Sequence, residues 1–284
     1  MSFLDELKAR RDSGAINLIR HATLPLSICN YTDRCTYEKL WDDVTMQCRG
    51  LVVDDEGSVV ARPFRKFFND TEHSQDESPW HLTCEITEKV DGSLLVVFFY
   101  GGEWHVITRG SWTSSQAIEG RKIIEESLTF QGMSSDKTYL FEVIYPENRI
   151  VCDYGDRREV VLIGVIDTDN GEDYSASEFY WLNPVRSLPN DTTLADLRSI
   201  ITDEEEGYVV CFSNGFRVKV KGARYLELHR MMSGITARMV WERISTGQPL
   251  DDVTSVVDEE IVAWINDTAD KLRFEFARLK ADAN

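Results

Sequence analysis

The sequence predicts an α+β fold, a strand-rich domain followed by a small all-helical one, and three observations predict it. Between Arg49 and Lys221 the apolar residues recur mostly at the two-residue period of strands. Turn signals such as Asp54–Gly57 and Ser213-Asn214-Gly215 break these runs at hairpin spacing, which favours antiparallel pairing. After Gly222 the period becomes helical and stays so. At 284 residues, 42% of them hydrophobic, with seven Trp and thirteen Phe, the chain can fill one large core and a small second one.

Residues 2–11 read as a helix stopped by Asp12-Ser13-Gly14. After Leu24-Pro25-Leu26 the chain reads as irregular through Asn30-Tyr31-Thr32-Asp33, with a helical segment from Thr36 to Trp41. Arg49–Val53 and Ser58–Arg62 form a hairpin, which Pro63 ends. Phe64-Arg65-Lys66-Phe67-Phe68-Asn69 then sets basic residues among aromatics, and an acidic loop runs from Asp70 to Pro79. A strand pair is expected around Glu88-Lys89-Val90-Asp91-Gly92-Ser93, because Asp-Gly between apolar runs signals a type I′ turn. Glu103–Thr108 is a strand ending in Arg109-Gly110-Ser111, and Ser115–Leu128 a helix. Thr138–Tyr145 is a strand, Pro146–Arg149 a turn and Ile150–Cys152 a short strand. The apolar run Val160–Ile166 is a buried strand. Short helices and acidic loops fill 173–205, and Glu206–Phe212 pairs with Phe216–Lys221 in a second hairpin. Helices are expected over Tyr225–Ile244 and Val256–Leu279, which puts the division of domains at 1–224 and 225–284.

Several function classes are excluded. No run of eighteen apolar residues encodes a membrane span. The acidic Met1–Lys8 segment lacks the basic and apolar regions of a signal peptide, which predicts a cytoplasmic protein. Six cysteines without a Cys-x-x-Cys and five unclustered histidines predict free thiols, and argue against a zinc site or a Ser-His-acid triad. A net charge of −18 argues against broad attachment to nucleic acid, and leaves room for a local basic groove.

Lys89 stands before the Asp91-Gly92 turn at the mouth of the apolar strand Leu94–Tyr100. A lysine amine attacks only when unprotonated, so such a role requires burial, nearby cations or a metal. By itself the stretch reads as a hairpin with a surface lysine. Lys219 and Lys221 alternate on a strand and share a face, so that an anion between them would relieve their repulsion; a solvated edge strand is the other reading. Glu142 interrupts an apolar strand and needs a partner, either a ribose hydroxyl or Arg149. Glu206 closes the acidic run Asp203–Glu206 just before an apolar strand, which fits a cleft residue as well as a loop. Phe68 suits a core or a purine-stacking surface.

Lys89-Val90-Asp91-Gly92-Ser93, Phe141-Glu142, Glu206-Gly207-Tyr208-Val209-Val210 and Lys219-Val220-Lys221, in this order, resemble motifs of the covalent nucleotidyltransferases, which include ATP-dependent DNA ligases, RNA ligases and mRNA capping enzymes. Cys48-Arg49-Gly50-Leu51, Ala61–Asn69, Arg109-Gly110-Ser111, Pro146–Val151 and Tyr225 narrow the resemblance to the RNA ligase 1 family of T-even-type phages, over about residues 27 to 230. The resemblance implies a nucleotidyltransferase fold and an ATP-dependent RNA ligase that seals 5′-phosphate and 3′-hydroxyl ends, with Mg²⁺ or Mn²⁺. Lys89 would be the nucleophile that takes AMP, and Asp91 would orient it and the metal. Arg49, Lys66, Lys219 and Lys221 would bind phosphates, with Phe68 and Gly92 also at the ATP site. Glu142 would hold the ribose, Glu206 a divalent ion or its waters, and Tyr225 would match a residue the family needs.

Arg109 stands where the family usually has lysine, which changes the geometry of that charge. The family's aromatic contact near Asn30 falls on Cys29 or Tyr31. Gly247 followed by Asp251-Asp252 resembles a metal-proximal acidic pair, and reads equally as a helix start. The implied protein would be a monomer of the cytoplasm, the host's if phage-encoded, and would act in RNA repair. The rival readings are the same chemistry on nicked DNA or with GTP at an mRNA end, and a nucleotide- or RNA-end-binding protein without turnover.

Overall fold

Tyr208, Val210 and Phe212 are buried while Val209 and Cys211 are less so, and this alternation along one strand shows how the chain is layered. The computed structural model describes residues 2–73, 79–189, 192–232, 234–254 and 259–282. In chain order its elements are α1 (Phe3–Asp12), β1 (Ile16–Arg20), β2 (Leu26–Tyr31), α2 (Asp33–Tyr37), β3 (Arg49–Asp54), β4 (Val59–Ala61), β5 (Phe68–Asn69), β6 (Cys84–Glu88), β7 (Ser93–Tyr100) and β8 (Glu103–Thr108). There follow α3 (Ser115–Ile123), β9 (Lys137–Ile144), β10 (Glu159–Asp167), β11 (Asp173–Tyr174), β12 (Ser187–Leu188), α4 (Leu194–Ile200), β13 (Gly207–Phe212) and β14 (Arg217–Lys221). The tail is α5 (Ala223–Met232), α6 (Ala237–Ser245), α7 (Asp251–Thr254) and α8 (Glu259–Asp282).

Among the described residues the strands form three sheets, ordered β1-β2-β3-β4, β11-β10-β9-β7-β8 and β12-β6-β13-β14-β5. The pairings are antiparallel except β14 with β5. The first two sheets pack through Ile28, Val52, Val96, Phe98 and Leu140. The third buries Ile86, Tyr208, Val210, Val218 and Val220 under Leu197 of α4. Its opposite face, with Val209, Cys211, Lys219 and Lys221, lines a cleft whose other wall includes Leu94, Glu142 and Ile163 of the second sheet.

Several expectations give way to tertiary pairing. β6 and β7 do not form a hairpin: β6 pairs with β12 and β13, and β7 with β8 and β9. The Lys89–Gly92 stretch therefore crosses from one sheet to another. Leu26–Tyr31, read as irregular, is a strand paired with Ile16–Arg20 on one side and β3 on the other, because β3 gives β2 an edge to continue. The helix expected at Thr36–Trp41 begins earlier, at Asp33, since the Thr32 side chain caps the Cys35 N–H. The helix over Ser115–Leu128 is α-helical only to Ile123 and continues as one π turn. Ile150–Cys152 is not a strand; its amides are used elsewhere. The expected helix Tyr225–Ile244 is two, because Gly234 takes φ +70° and Thr236 caps α6.

Parts of other expectations, Val256 and Val257 of the last helix, residues 74–78 of the acidic loop and residues 190–191, lie outside the described residues, and of Asp252 and Leu279 only the backbone is described. Cys29, Cys35, Cys48 and Cys152 are buried, Cys84 and Cys211 half-buried, and all six are free thiols.

Candidate active site

Three neighbouring strand ends make the centre of the cleft. β13 lies between β6 and β14, with Tyr208 opposite both Glu88 and Val220, and Gly207 opposite Lys221. The next residue of β6's chain, Lys89, donates its N–H to the Gly207 carbonyl at 2.8 Å, and the Gly222 N–H donates to the Glu206 carbonyl at 2.9 Å. This register brings three charged side chains together. Lys89 Nζ is 2.8 Å from Glu206 Oε2, and Lys221 Nζ is 3.2 Å from Glu206 Oε1. The side chains are 23%, 3% and 8% exposed for Lys89, Glu206 and Lys221. Gly207 makes the approach of the strands possible: at φ +142° any Cβ would fall on the Val220 carbonyl.

The loop that presents Lys89 is held from behind. Asp91 is 4% exposed, and its Oδ2 accepts the Val151 and Cys152 N–H groups at 2.8 and 2.7 Å. Its Oδ1 accepts the Tyr225 hydroxyl at 2.8 Å, and its own N–H donates to the Tyr154 hydroxyl at 2.9 Å. Asp91 thus fixes the loop to the 150–152 segment and to α5. Burial, reinforced by the negative charges of Glu206 and Asp91, pushes the Tyr225 phenol upward, and with the same two charges pushes the Cys152 thiol up to about 12. Gly92 is required by space: a Cβ there would sit 2.5 Å from the Val143 carbonyl oxygen.

Glu142 faces the cleft from β9, opposite Leu94. Burial pushes its carboxyl up to about 7, with Lys89 and Arg49 pulling it down and Glu206 and Asp91 pushing it up. The alternative partner, Arg149, pairs instead with Asp153 at 2.7 Å. Lys66 is 5% exposed, and its ammonium lies 4.6 Å from the Phe68 ring centre and 5.5 Å from that of Trp41. Phe68 is half-buried and lines the cleft with Lys66, Arg49, Arg109, Lys219 and Lys221. Arg109 donates from Nη1 to the Tyr31 hydroxyl at 2.9 Å, and its guanidinium lies 5.1 Å from the same ring. Tyr31 therefore stands at the cleft, whereas Cys29 is wholly buried in the core.

Arg49, Lys66, Phe68, Lys89, Gly92, Arg109, Glu142, Glu206, Lys219, Lys221 and Tyr225 all border one cleft of about 1480 Å³, as does Asp91. That is more than one small ligand fills. Asp251 is not brought to this group: it is exposed and accepts the Tyr37 hydroxyl at 3.3 Å, although Thr254 of the same short helix borders the cleft. Among the described residues no three His, Cys, Asp or Glu side chains gather as a metal-binding set. One buried carboxylate beside a phosphate-sized space still suits Mg²⁺, which takes one or two carboxylates and fills its sphere with phosphate oxygens and water.

Sequence reasoning missed Arg217, Trp41, Tyr154 and Arg186. Arg217 was signalled by the alternation it shares with Lys219 and Lys221. Trp41 and Tyr154 carried no signal, since each reaches the site from an irregular segment. Arg186 ties Glu88 and Glu205, the residues next to Lys89 and Glu206, at 3.1 and 2.8 Å, again without local pattern.

A family model described as RNA ligase, the one named for phage T4 RNA ligase 1, matches residues 47–225. A putative bifunctional polynucleotide kinase/RNA ligase of Autographa californica nuclear polyhedrosis virus is 26% identical over 249 residues, covering 73% of this chain and 35% of that protein. An RNA ligase of Rhodothermus phage RM378 is 24% identical over 306 aligned residues, covering 80% of this chain and 68% of that protein. The chain thus spans about a third of the first relative and two thirds of the second. Among solved structures, an archaeal ATP-dependent RNA ligase superposes with a TM-score of 0.56 at 16% identity, covering 97% of this chain and 75% of that one. A putative ATP-dependent DNA ligase from Aquifex aeolicus does so with a TM-score of 0.56 at 14% identity, covering 96% and 78%. These superpositions establish the ligase-type nucleotidyltransferase fold.

Proposed function

The chain belongs to the RNA ligase family, and from that premise we propose that it is an ATP-dependent RNA ligase working through AMP carried on Lys89. The observation that carries the reading is the Lys89–Glu206–Lys221 cluster, built on a buried carboxylate at the strand ends of a cleft ringed by cations in a chain of net charge −18.

Lys89 Nζ, once deprotonated, attacks the α-phosphorus of ATP; the N–P bond forms and the P–O bond to pyrophosphate breaks. Lys219, Lys221, Arg49 and Lys66 hold the phosphate oxygens and spread the charge that develops on them. Glu142, part-protonated near neutrality, has both a donor and an acceptor to offer a ribose hydroxyl. An RNA 5′-phosphate oxygen then attacks the same phosphorus, the N–P bond breaks and Lys89 recovers its proton. A 3′-hydroxyl finally attacks the RNA 5′-phosphorus: the new P–O bond forms, the P–O bond to AMP breaks, the hydroxyl proton passes to solvent and AMP leaves. Mg²⁺ or Mn²⁺, held by Glu206 together with phosphate oxygens, would supply further neutralisation of the phosphate charge. Asp91 and Tyr225 keep the Lys89 loop in place.

The same reading makes residues 1–224 the adenylyltransferase domain and 225–284 a helical domain, with α5 packed on the first through Tyr225, Leu226 and Leu228. It has the chain acting as a monomer on RNA ends in the cytoplasm, the host's if it is phage-encoded. No helix among the described residues is long and apolar enough to cross a membrane.

Incubation with ATP labelled at the α-phosphate and Mg²⁺ is expected to give a protein adduct stable to alkali and split by acid. Label that persists in Lys89→Ala would sink the assignment. GTP in place of ATP, and 5′-phosphorylated DNA in place of RNA, are expected to be used poorly; equal use would redirect the reading to a capping enzyme or a DNA ligase.

A further inference from the structure

Arg217 borders the cleft, yet the mechanism above gives it no task. It stands on β14 at the same alternation as Lys219 and Lys221, so its side chain emerges from the same sheet face, roughly 7 Å along the strand from Lys219. The side chain is 14% exposed. Its guanidinium lies 4.0 Å from the Phe64 ring centre and 5.8 Å from that of Phe67, and the Phe67 ring also carries the Arg49 guanidinium at 5.9 Å. Nη2 donates to Asp173 Oδ2 at 2.6 Å. Among the described residues no protein acceptor meets Nε or Nη1.

A ring against one face and a carboxylate on one edge leave the guanidinium little freedom. They also aim a second edge of N–H donors at the cleft. A guanidinium edge that borders the cleft with no protein acceptor is open to an anionic ligand, and hydrogen bonds to a charged group are among the stronger ones. A structural ion pair with Asp173 would need only a point charge; a planar fork with an edge to spare matches the paired oxygens of a phosphate. We propose that Arg217 is a phosphate-binding residue of this cleft, serving a phosphate other than the one held by Lys219 and Lys221. That phosphate comes either from the far end of the ATP triphosphate or from the 5′ end of the RNA. The proposal rests on the ligase reading, and the assay keeps the two apart.

Full-length Arg217→Met retains the unbranched stem on Phe64 and removes the fork; Arg217→Lys retains the charge. In one arm, self-labelling is followed against ATP concentration. In the other, preformed labelled enzyme is mixed with increasing 5′-phosphorylated oligoribonucleotide and transfer of AMP is followed. Arg217→Met is expected to raise the half-saturating concentration about ten- to a hundredfold in one arm, with Arg217→Lys recovering only part of it. An effect in the ATP arm assigns the triphosphate, and one in the RNA arm assigns the 5′-phosphate. Variants that fold and match the wild type in both arms overturn the proposal. Should Arg217→Met fail to fold, Arg217→Lys decides alone: a weaker loss in one arm supports the proposal and none overturns it. A wild-type chain that takes no label sinks the ligase reading and this proposal with it, whereas an active wild type with indifferent variants sinks the proposal alone.

Discussion

Glu206 holds two ammonium groups, those of Lys89 and Lys221, on one carboxylate that is 3% exposed. When Lys89 gives up its proton to attack, the carboxylate still has Lys221, so the step strands no buried charge; an unpaired one would cost about 3–5 kcal/mol. Lys221→Met is accordingly expected to slow self-labelling on the order of 10²-fold, read as the rate of label uptake at saturating ATP. An unchanged rate would show that Lys221 neither balances Glu206 nor touches phosphate. Glu142 provides a test through pH. Its folded pKa is raised from 4.5 to about 7, so the protonated carboxyl contributes stability that is fully present below about 4.5 and is lost as pH rises through about 7. Glu142→Gln removes that loss. Its melting temperature relative to wild type should therefore climb between pH 5 and pH 8, and a constant difference would show that burial does not govern this group.

The Lys89 loop passes between two sheets, and its support comes from an element that shows no sign of it in sequence. Asp91 spends both carboxylate oxygens on the Val151 and Cys152 amides and the Tyr225 hydroxyl. Tyr225→Phe leaves Asp91 short of one hydrogen bond in a buried place, which is expected to cost about 1–3 kcal/mol in urea unfolding and to slow self-labelling. Full stability would mean the hydroxyl does not brace the loop. The motif residues themselves were legible, because chemistry ties them to short spacings: Lys89 to Gly92, Glu206 to Gly207, Lys219 to Lys221. Strands with a clear pattern were legible too, the alternating β13–β14 hairpin and the continuous apolar run of β10 among them. The crossing from β6 to β7 was not. Asp-Gly between apolar runs marks a turn, and nothing local says that the strands on either side seek different sheets. Ile150–Cys152 misled for the converse reason: an apolar triplet reads as strand, while its amides serve Asp91. β2 was hidden by Asn30-Tyr31-Thr32-Asp33, whose turn-forming residues yield to pairing with β1 and β3.

At the scale of the whole molecule the tail beyond Gly234 has a core of its own, built from Ile235, Val240, Val253, Ile261, Ile265 and Ala269. It meets the cleft through Thr254, Val262 and Asn266, and meets α2 through the Tyr37–Asp251 hydrogen bond. Ile265→Ala, which removes a wholly buried side chain, is expected to cost that core about 2–5 kcal/mol. Hydrogen exchange should then quicken in α6 and α8 while β7, β9 and β10 stay protected; uniform quickening would mean one cooperative core. The cations of the cleft are a local exception within an acidic chain, and they border the same cleft as the Lys89 amine. Peptide mapping by mass spectrometry after incubation with ATP and Mg²⁺ tests that arrangement most directly. The expected result is a single AMP adduct on the peptide that carries Lys89, lost in Lys89→Ala and discharged by pyrophosphate. An adduct on any other residue, or none in folded protein, would contradict the account.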